Sequence, residues 1–140
     1  LHKLATDENL RLPIIHHPAY SGGFVSPGVS GVADYLQLGL LPRIFGADMS
    51  IFVSYGGRFT FTEEQCKRIS SYIKRPMGLM KAACPAPGGG VTDARLNELV
   101  ELYGNDTMFL VGGDMFRRGP DIEANMSYFV ERLTKLSERT

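Results

Sequence analysis

Four short apolar runs, each closed by a cluster of glycines, set the terms on which this chain can fold. Leu12 to His17 precedes Gly22 and Gly23, and Met49 to Ser54 precedes Gly56 and Gly57. Leu79 to Cys84 precedes Gly88, Gly89 and Gly90, and Thr107 to Val111 precedes Gly112 and Gly113. Runs this short, rich in Ile, Val, Phe and Met, suit strands buried on both faces. Amphipathic segments lie between them. Alternating strand and helix implies parallel strands with right-handed crossovers. Four such βα units fit in 140 residues and eight do not. The chain is therefore an α/β segment, either a small open sheet or half of an eight-stranded barrel.

An internal repeat supports the same reading. "FGADMSIFV" (Phe45 to Val53) and "YGNDTMFLV" (Tyr103 to Val111) share an aromatic, a glycine, an aspartate two positions later and an apolar run ending in Val. Glycine suits the residue just past a helix, where left-handed backbone is needed. Thr62 with Gln65 reads as a capping box, with Phe61 stapling onto Cys66. Thr92 is expected to cap a helix whose Leu96, Leu99, Val100 and Tyr103 share one face. Gly119-Pro120 is expected to open the last helix, with Ile122, Met126, Phe129, Val130 and Leu133 as its apolar stripe. From Val32 to Phe45 the pattern is helical but interrupted by Pro42.

Composition narrows the class. Hydrophobic residues make up 44% and charged residues 21%, enough apolar material for a packed core. With 15 basic and 15 acidic residues the net charge is zero, so no field favours nucleic acid or a cationic partner. No apolar run is long enough for a membrane span. Cys66 and Cys84 form no metal or redox spacing and fit free thiols in a reducing, cytoplasmic setting. The chain opens on Leu rather than Met, which leaves room for sequence upstream.

The glycines carry the functional signal. Main-chain amides at a glycine-rich strand end can converge on an anion, and a missing Cβ lets a phosphate approach closely. The plainer reading is that glycine serves the turns themselves. Two clusters on consecutive strands, Gly88 to Gly90 and Gly112-Gly113, keep both readings in play.

The motifs "HHPAYSGGF", "GADMSIFVSYGGRFTF", "CPAPGGG" and "FLVGGDMFRRGPD" resemble, in order, the C-terminal half of the RuBisCO-like (form IV) proteins. These are non-carboxylating members of the ribulose-bisphosphate carboxylase/oxygenase large-subunit superfamily. The resemblance implies that residues 1–140 are a single segment, strands five to eight of a TIM (β/α)8 barrel, with the other half and an N-terminal α+β domain upstream. It implies that Gly89, Gly90, Gly112 and Gly113 grip one substrate phosphate. It places Gly88 where carboxylating relatives have a substrate-contacting serine, and His17 where the family has a substrate-contacting strand-five histidine. His16, on the opposite face, is expected to be structural. The loop "SYGGRFTF" lacks the mobile lysine of carboxylating relatives, and their strand-six histidine is also missing. Carboxylation is thus not expected. The family's Mg2+ ligands, a carbamylated lysine, an aspartate and a glutamate, are expected upstream, with none in this chain.

Tyr55 and Arg58 are further substrate-side candidates, Arg58 as a forked phosphate contact or else a solvated surface charge. Arg117 and Arg118 read first as surface charges at a helix entry. Asp114 is expected to tie down its loop, since a carboxylate beside phosphate repels it. Cys84 is expected to be an inert buried thiol, and the methionines core filler. Functionally, the resemblance implies Mg-dependent enolisation or isomerisation of a phosphorylated ketose or diketone of methionine-salvage type, through an enediolate. One alternative is decarboxylation or transcarboxylation of a 3-oxo sugar-acid phosphate. Another, of a different class, is a non-catalytic half-barrel that binds phosphate or assembles with a partner. Partners are then a phosphorylated small molecule and a second copy in a homodimer or larger homo-oligomer, with neither nucleic acid nor membrane.

Overall fold

A computed structural model describes residues 1–25 and 31–138. Residues 26–30, 139 and 140 lie outside the described residues, and the expected helical stretch from Val32 to Phe45 lies wholly within the described ones. In chain order the elements are α1 (His2–Ala5), β1 (Ile15–His16), α2 (Gly22–Val25), a π-helical turn (Tyr35–Leu40) running into α3 (Leu41–Ile44), and β2 (Met49–Val53). There follow α4 (Glu63–Lys74), β3 (Cys84–Gly88), a 3-10 turn (Asp93–Arg95) leading into α5 (Leu96–Tyr103), α6 (Gly113–Arg117) and α7 (Ile122–Ser137). The three strands form one parallel sheet in the order β1-β2-β3, with Ile15 opposite Met49 and Val53 opposite Gly88.

Three of the four expected strands need correction. The first is shorter than Leu12 to His17, because the amide of Ile14 is taken at 2.8 Å by the Asp48 carboxylate. The third does not lie at Leu79 to Cys84. That stretch holds a turn closed by Met77 and Met80, with Leu79 fully exposed, and pairing starts only at Cys84. The sequence "CPAPG" carries the strand despite two prolines. In a parallel strand the N–H and C=O of one residue face the same neighbour, so alternate residues serve opposite sides. Cys84 and Gly88 face β2, where the Cys84 amide donates to Asp48 and the Gly88 carbonyl accepts from Ser54, each at 2.8 Å. Pro85 and Pro87 face the other way and contribute only carbonyls, which accept from Met108 (2.9 Å) and Leu110 (3.1 Å). No proline donor exists to answer the Met108 carbonyl. The fourth expected strand, residues 107–111, accordingly shrinks to a single parallel bridge between Gly88 and Leu110.

The helices follow their local signals with two exceptions. Thr62 and Gln65 make the reciprocal capping box of α4, and Phe61 packs against the core cluster that contains Cys66. The π-helical turn lies immediately before Pro42, near the start of α3, so the expected interruption appears as a widened turn. Gly46 (φ 93°) and Gly104 (φ 76°) end their helices in left-handed backbone. Thr92, however, makes no side-chain cap; a 3-10 turn follows it and α5 begins at Leu96. The amide of Asp93 is instead taken by the Asp114 carboxylate at 2.8 Å. Pro120 likewise precedes α7 rather than opening it, and Asp121 caps that helix through the Ala124 amide.

The helices cover one face of the sheet. Phe52, Ile69, Ile73, Leu96 and Leu99 are fully buried there, and all four apolar positions of α5 join that core. The opposite face carries half-buried Met49, Ile51 and Val53 and exposed Ile15, with no described layer above them. Parallel sheets ordinarily bury both faces. The stripe of α7 is split in the same way: Phe129 is buried and Leu133 packs on the core, while Ile122, Met126 and Val130 stay exposed. No helix among the described residues is long and apolar enough to cross a membrane.

Candidate anion-binding cleft

The carboxyl ends of the strands open into one cleft of about 1120 Å³ on the uncovered side of the sheet. His17, Arg58, Gly88, Gly89, Gly90, Gly112 and Gly113 all line it. Residues far apart in sequence meet there because consecutive parallel strands deliver their loops to the same end. The loop after β3 and the loop before α6 are then tied together by the Asp114 carboxylate on the Asp93 amide. Asp114 also holds Arg117 at 3.0 Å. The expected loop-fastening role of Asp114 is thus what its contacts describe.

The glycines divide into two kinds. Gly90 (φ 70°) lies against Gly57, where a Cβ would sit 2.8 Å from the Gly57 nitrogen, so backbone packing between two loops already demands glycine. Gly89 (φ 76°) needs it for conformation but has open space where a Cβ would stand. Gly112 has no packing need for it: nothing lies within 4 Å of its Cβ position. The amides of Gly90, Gly112 and Gly113 donate to no acceptor among the described residues. Amides without a protein acceptor are available to an anion or to water.

The two histidines part as their alternation requires. The hydroxyl of Ser50 donates to the Leu38 carbonyl at 2.7 Å, so at its 3.2 Å contact with His16 Nδ1 it acts as acceptor and Nδ1 carries the proton. Burial, and then the neighbouring His17, lower the pKa of His16. His17 is exposed and faces the cleft. Arg58 stands beside the Phe59 ring, 5.0 Å from its centroid, and makes no ion pair among the described residues.

Tyr55 is not a cleft residue. Its hydroxyl donates to Glu98 and its ring lies under the Arg95 guanidinium, 4.4 Å from the centroid. The chain turns at Gly56, so Tyr55 and Arg58 leave the loop on different sides. Arg118 is not a free charge either; it stacks on Tyr128 at 3.4 Å and reaches toward Asp93. Asp93 gathers Tyr128 (2.7 Å) and Arg132 (3.2 Å) as well, and these contacts, led by the Tyr128 hydroxyl, hold its carboxyl below the usual range. Burial pushes the Cys66 thiol up to about 11, and its Sγ donates to the Val53 carbonyl, so it is an inert core group. Cys84 is half-buried. Sequence reasoning missed Arg95 and Asp93, whose partners come from distant loops and leave no local pattern. Among the described residues no group of three or more His, Cys, Asp or Glu is placed to hold a metal ion.

No family model matches the chain. Individual proteins do. It is 35% identical to ribulose bisphosphate carboxylase-like protein 1 of Rhodopseudomonas palustris over 118 residues, 84% of this chain and 30% of that protein. It is 31% identical to the 5-methylthioribulose-1-phosphate isomerase of Rhodospirillum rubrum, covering 80% of this chain and 30% of that one. It is 33% identical to the 2,3-diketo-5-methylthiopentyl-1-phosphate enolase of Exiguobacterium sibiricum, covering 81% and 28%. Its fold superposes on a RuBisCO-like protein from Alicyclobacillus acidocaldarius with a TM-score of 0.88 at 28% identity, covering 99% of this chain and 35% of that structure. The chain spans about a third of the length of the relatives it matches, and within that span both the sequence identity and the superposed fold point the same way: it belongs to the RuBisCO large-subunit superfamily, among the RuBisCO-like proteins.

Proposed function

We propose that this chain supplies the phosphate-gripping half of a barrel that enolises or isomerises a phosphorylated ketose or diketone of the methionine-salvage type. In this reading residues 1–140 are strands five to eight of a (β/α)8 barrel, and the cleft is half of its active site. The observation that carries it is the set of unpaired amides at Gly90, Gly112 and Gly113, which share one cleft with Arg58 and His17. A phosphate seated there would accept from main-chain donors, with Arg58 adding a charge-assisted contact. His17 would donate to or accept from a substrate oxygen. Gly112, whose Cβ position has no neighbour, leaves open space for the close approach of a ligand.

The superfamily's Mg2+ finds no ligand set in the described residues. What these residues do is bind and orient; the proton transfer next to the carbonyl is assigned to groups elsewhere in the barrel. The test uses the intact protein. Inorganic phosphate should bind, and Gly112→Val should weaken it at least about tenfold, because a branched side chain fills the anion's position. The fold should persist, since no atom stands where the side chain would begin. Proton-exchange NMR with 5-methylthioribulose 1-phosphate and with 2,3-diketo-5-methylthiopentyl 1-phosphate separates isomerase from enolase. Phosphate binding without exchange on either compound would overturn the catalytic assignment.

That outcome would favour a second reading, a non-catalytic assembly module. The uncovered sheet face and the exposed row Ile122, Met126 and Val130 support it, because such surface is ordinarily covered by another layer or a partner.

A further inference from the structure

We propose that Arg95 is a positioning residue of the anion site, fastening the loop after β2 to the loop after β3 so that the glycine amides are held ready for an anion. The inference rests on the anion-site reading above and concerns a residue that touches no ligand in it. Arg95 Nη1 donates to the Tyr55 carbonyl at 2.7 Å and to the Gly90 carbonyl at 3.1 Å. One nitrogen thus bridges the two loops. The rest of the guanidinium is held from behind. Nη2 and Nε engage the two carboxylate oxygens of Glu98 at 3.0 and 3.4 Å, and Glu98 also accepts from the Tyr55 hydroxyl. The plane stacks on the Tyr55 ring.

The backbone is shaped around this fork. A Cβ on Gly56 (φ 73°) would lie 2.5 Å from Nη1, so the loop has glycine where the arginine passes. Next to it Gly57 and Gly90 pack backbone to backbone, a contact that persists only while the loops keep this separation. Gly89 and Gly90 both have φ near +70°, a conformation glycine reaches without strain but does not by itself select. Anchoring the Gly90 carbonyl selects it. A planar fork can hold two carbonyls and a carboxylate together; an ammonium on a flexible stem cannot.

The experiment measures inorganic phosphate affinity on the intact protein by calorimetry, with circular dichroism as the folding control. Arg95→Ala should weaken phosphate about tenfold, the scale expected when charge-assisted contacts that preorganise a site are removed. Arg95→Lys should track Arg95→Ala, since it keeps the charge and loses the fork. Glu98→Gln leaves the arginine in place but loosens its backing, and should weaken binding by about threefold while remaining folded. If Arg95→Lys or Glu98→Gln alone restores or retains the parent affinity to within error, the positioning role is overturned, whether or not Arg95→Ala folds. Gly112→Val separates this from the underlying reading. Loss of affinity in Gly112→Val with parent-like binding in all three other variants would leave the anion site standing and remove Arg95 from it. Absence of phosphate binding in the parent protein would overturn both.

Discussion

The two copies of the repeat, Phe45 to Val53 and Tyr103 to Val111, begin alike and end differently. Each leaves a helix through a left-handed glycine and runs toward the sheet. The first becomes the central strand β2, paired on both sides. The second keeps one bridge. Their registers also differ by one residue. Val53 stands opposite Gly88, and Gly88 stands opposite Leu110, not Val111. A one-residue offset exchanges the faces. Phe52 therefore points into the helical core, whereas its counterpart Leu110 packs over Gly88 toward the cleft, and Phe109 turns to the core instead. The leading aromatics diverge as well. Phe45 is 50% exposed, while Tyr103 is 2% exposed and meets Phe52 edge-on with centroids 5.8 Å apart. Similar residues in similar order thus acquire their roles from what lies alongside them.

The sharpest way to break this contrast is at the aromatics. Tyr103→Ala should cost about 3–5 kcal/mol in urea unfolding, as for other buried aromatics emptied to alanine. Tyr103→Phe keeps the ring and removes the hydroxyl, which contacts Ser54 at 3.2 Å and also the Cys66 thiol, and should cost about 1 kcal/mol. If Tyr103→Ala proves as mild as a surface change, the two copies are not different in the way the burial indicates. A smaller effect is expected at the strand edge. Pro87→Ala restores a donor facing the Met108 carbonyl, and the new bond and the loosened unfolded chain should nearly cancel, within about 1 kcal/mol. Hydrogen exchange is the informative readout: the amide at position 87 should be protected, extending the second copy's bridge toward a ladder. A freely exchanging amide there would mean that something other than the prolines keeps the second copy from pairing.

Acidification probes what holds the second copy's surroundings, where Asp93 anchors α7 to the loop after β3. Its carboxyl is depressed in the folded protein by the Tyr128 hydroxyl first and the arginines next. The stabilisation is complete above the ordinary carboxylate pKa of about 4 and is lost as pH falls below it, through the depressed folded value. Asp93→Asn should flatten that part of the pH–stability curve; an unchanged curve would show that other acids govern it. The smallest effect is expected for Phe45→Ala, within about 0.5 kcal/mol, since its side chain is half in water.

Sequence patterns captured what depends on neighbours along the chain. The α4 capping box, the buried face of α5 and the glycine helix ends at Gly46 and Gly104 all follow from local spacing. The third strand was hidden because prolines argue against a sheet until one knows which side each residue faces. Thr92 makes no cap, and the nearby Asp93 amide is held by Asp114, 21 residues further along the chain. In the cleft, the gathering of His17, Arg58 and the glycine loops was foreseen, whereas the exclusion of Tyr55 was not, because the turn at Gly56 sends it behind Arg95. Nor does sequence separate Gly90, occupied by loop packing, from Gly112, which has none.

Pro85 and Pro87 have one more consequence. While the chain is being synthesised, β3 is complete before residues 107–111 exist, and its outer rim is then open to any passing strand. A rim that offers carbonyls without matching N–H groups satisfies only half of what an intruder needs, so the molecule is guarded against mispairing with its own copies until the correct, lightly bonded segment arrives.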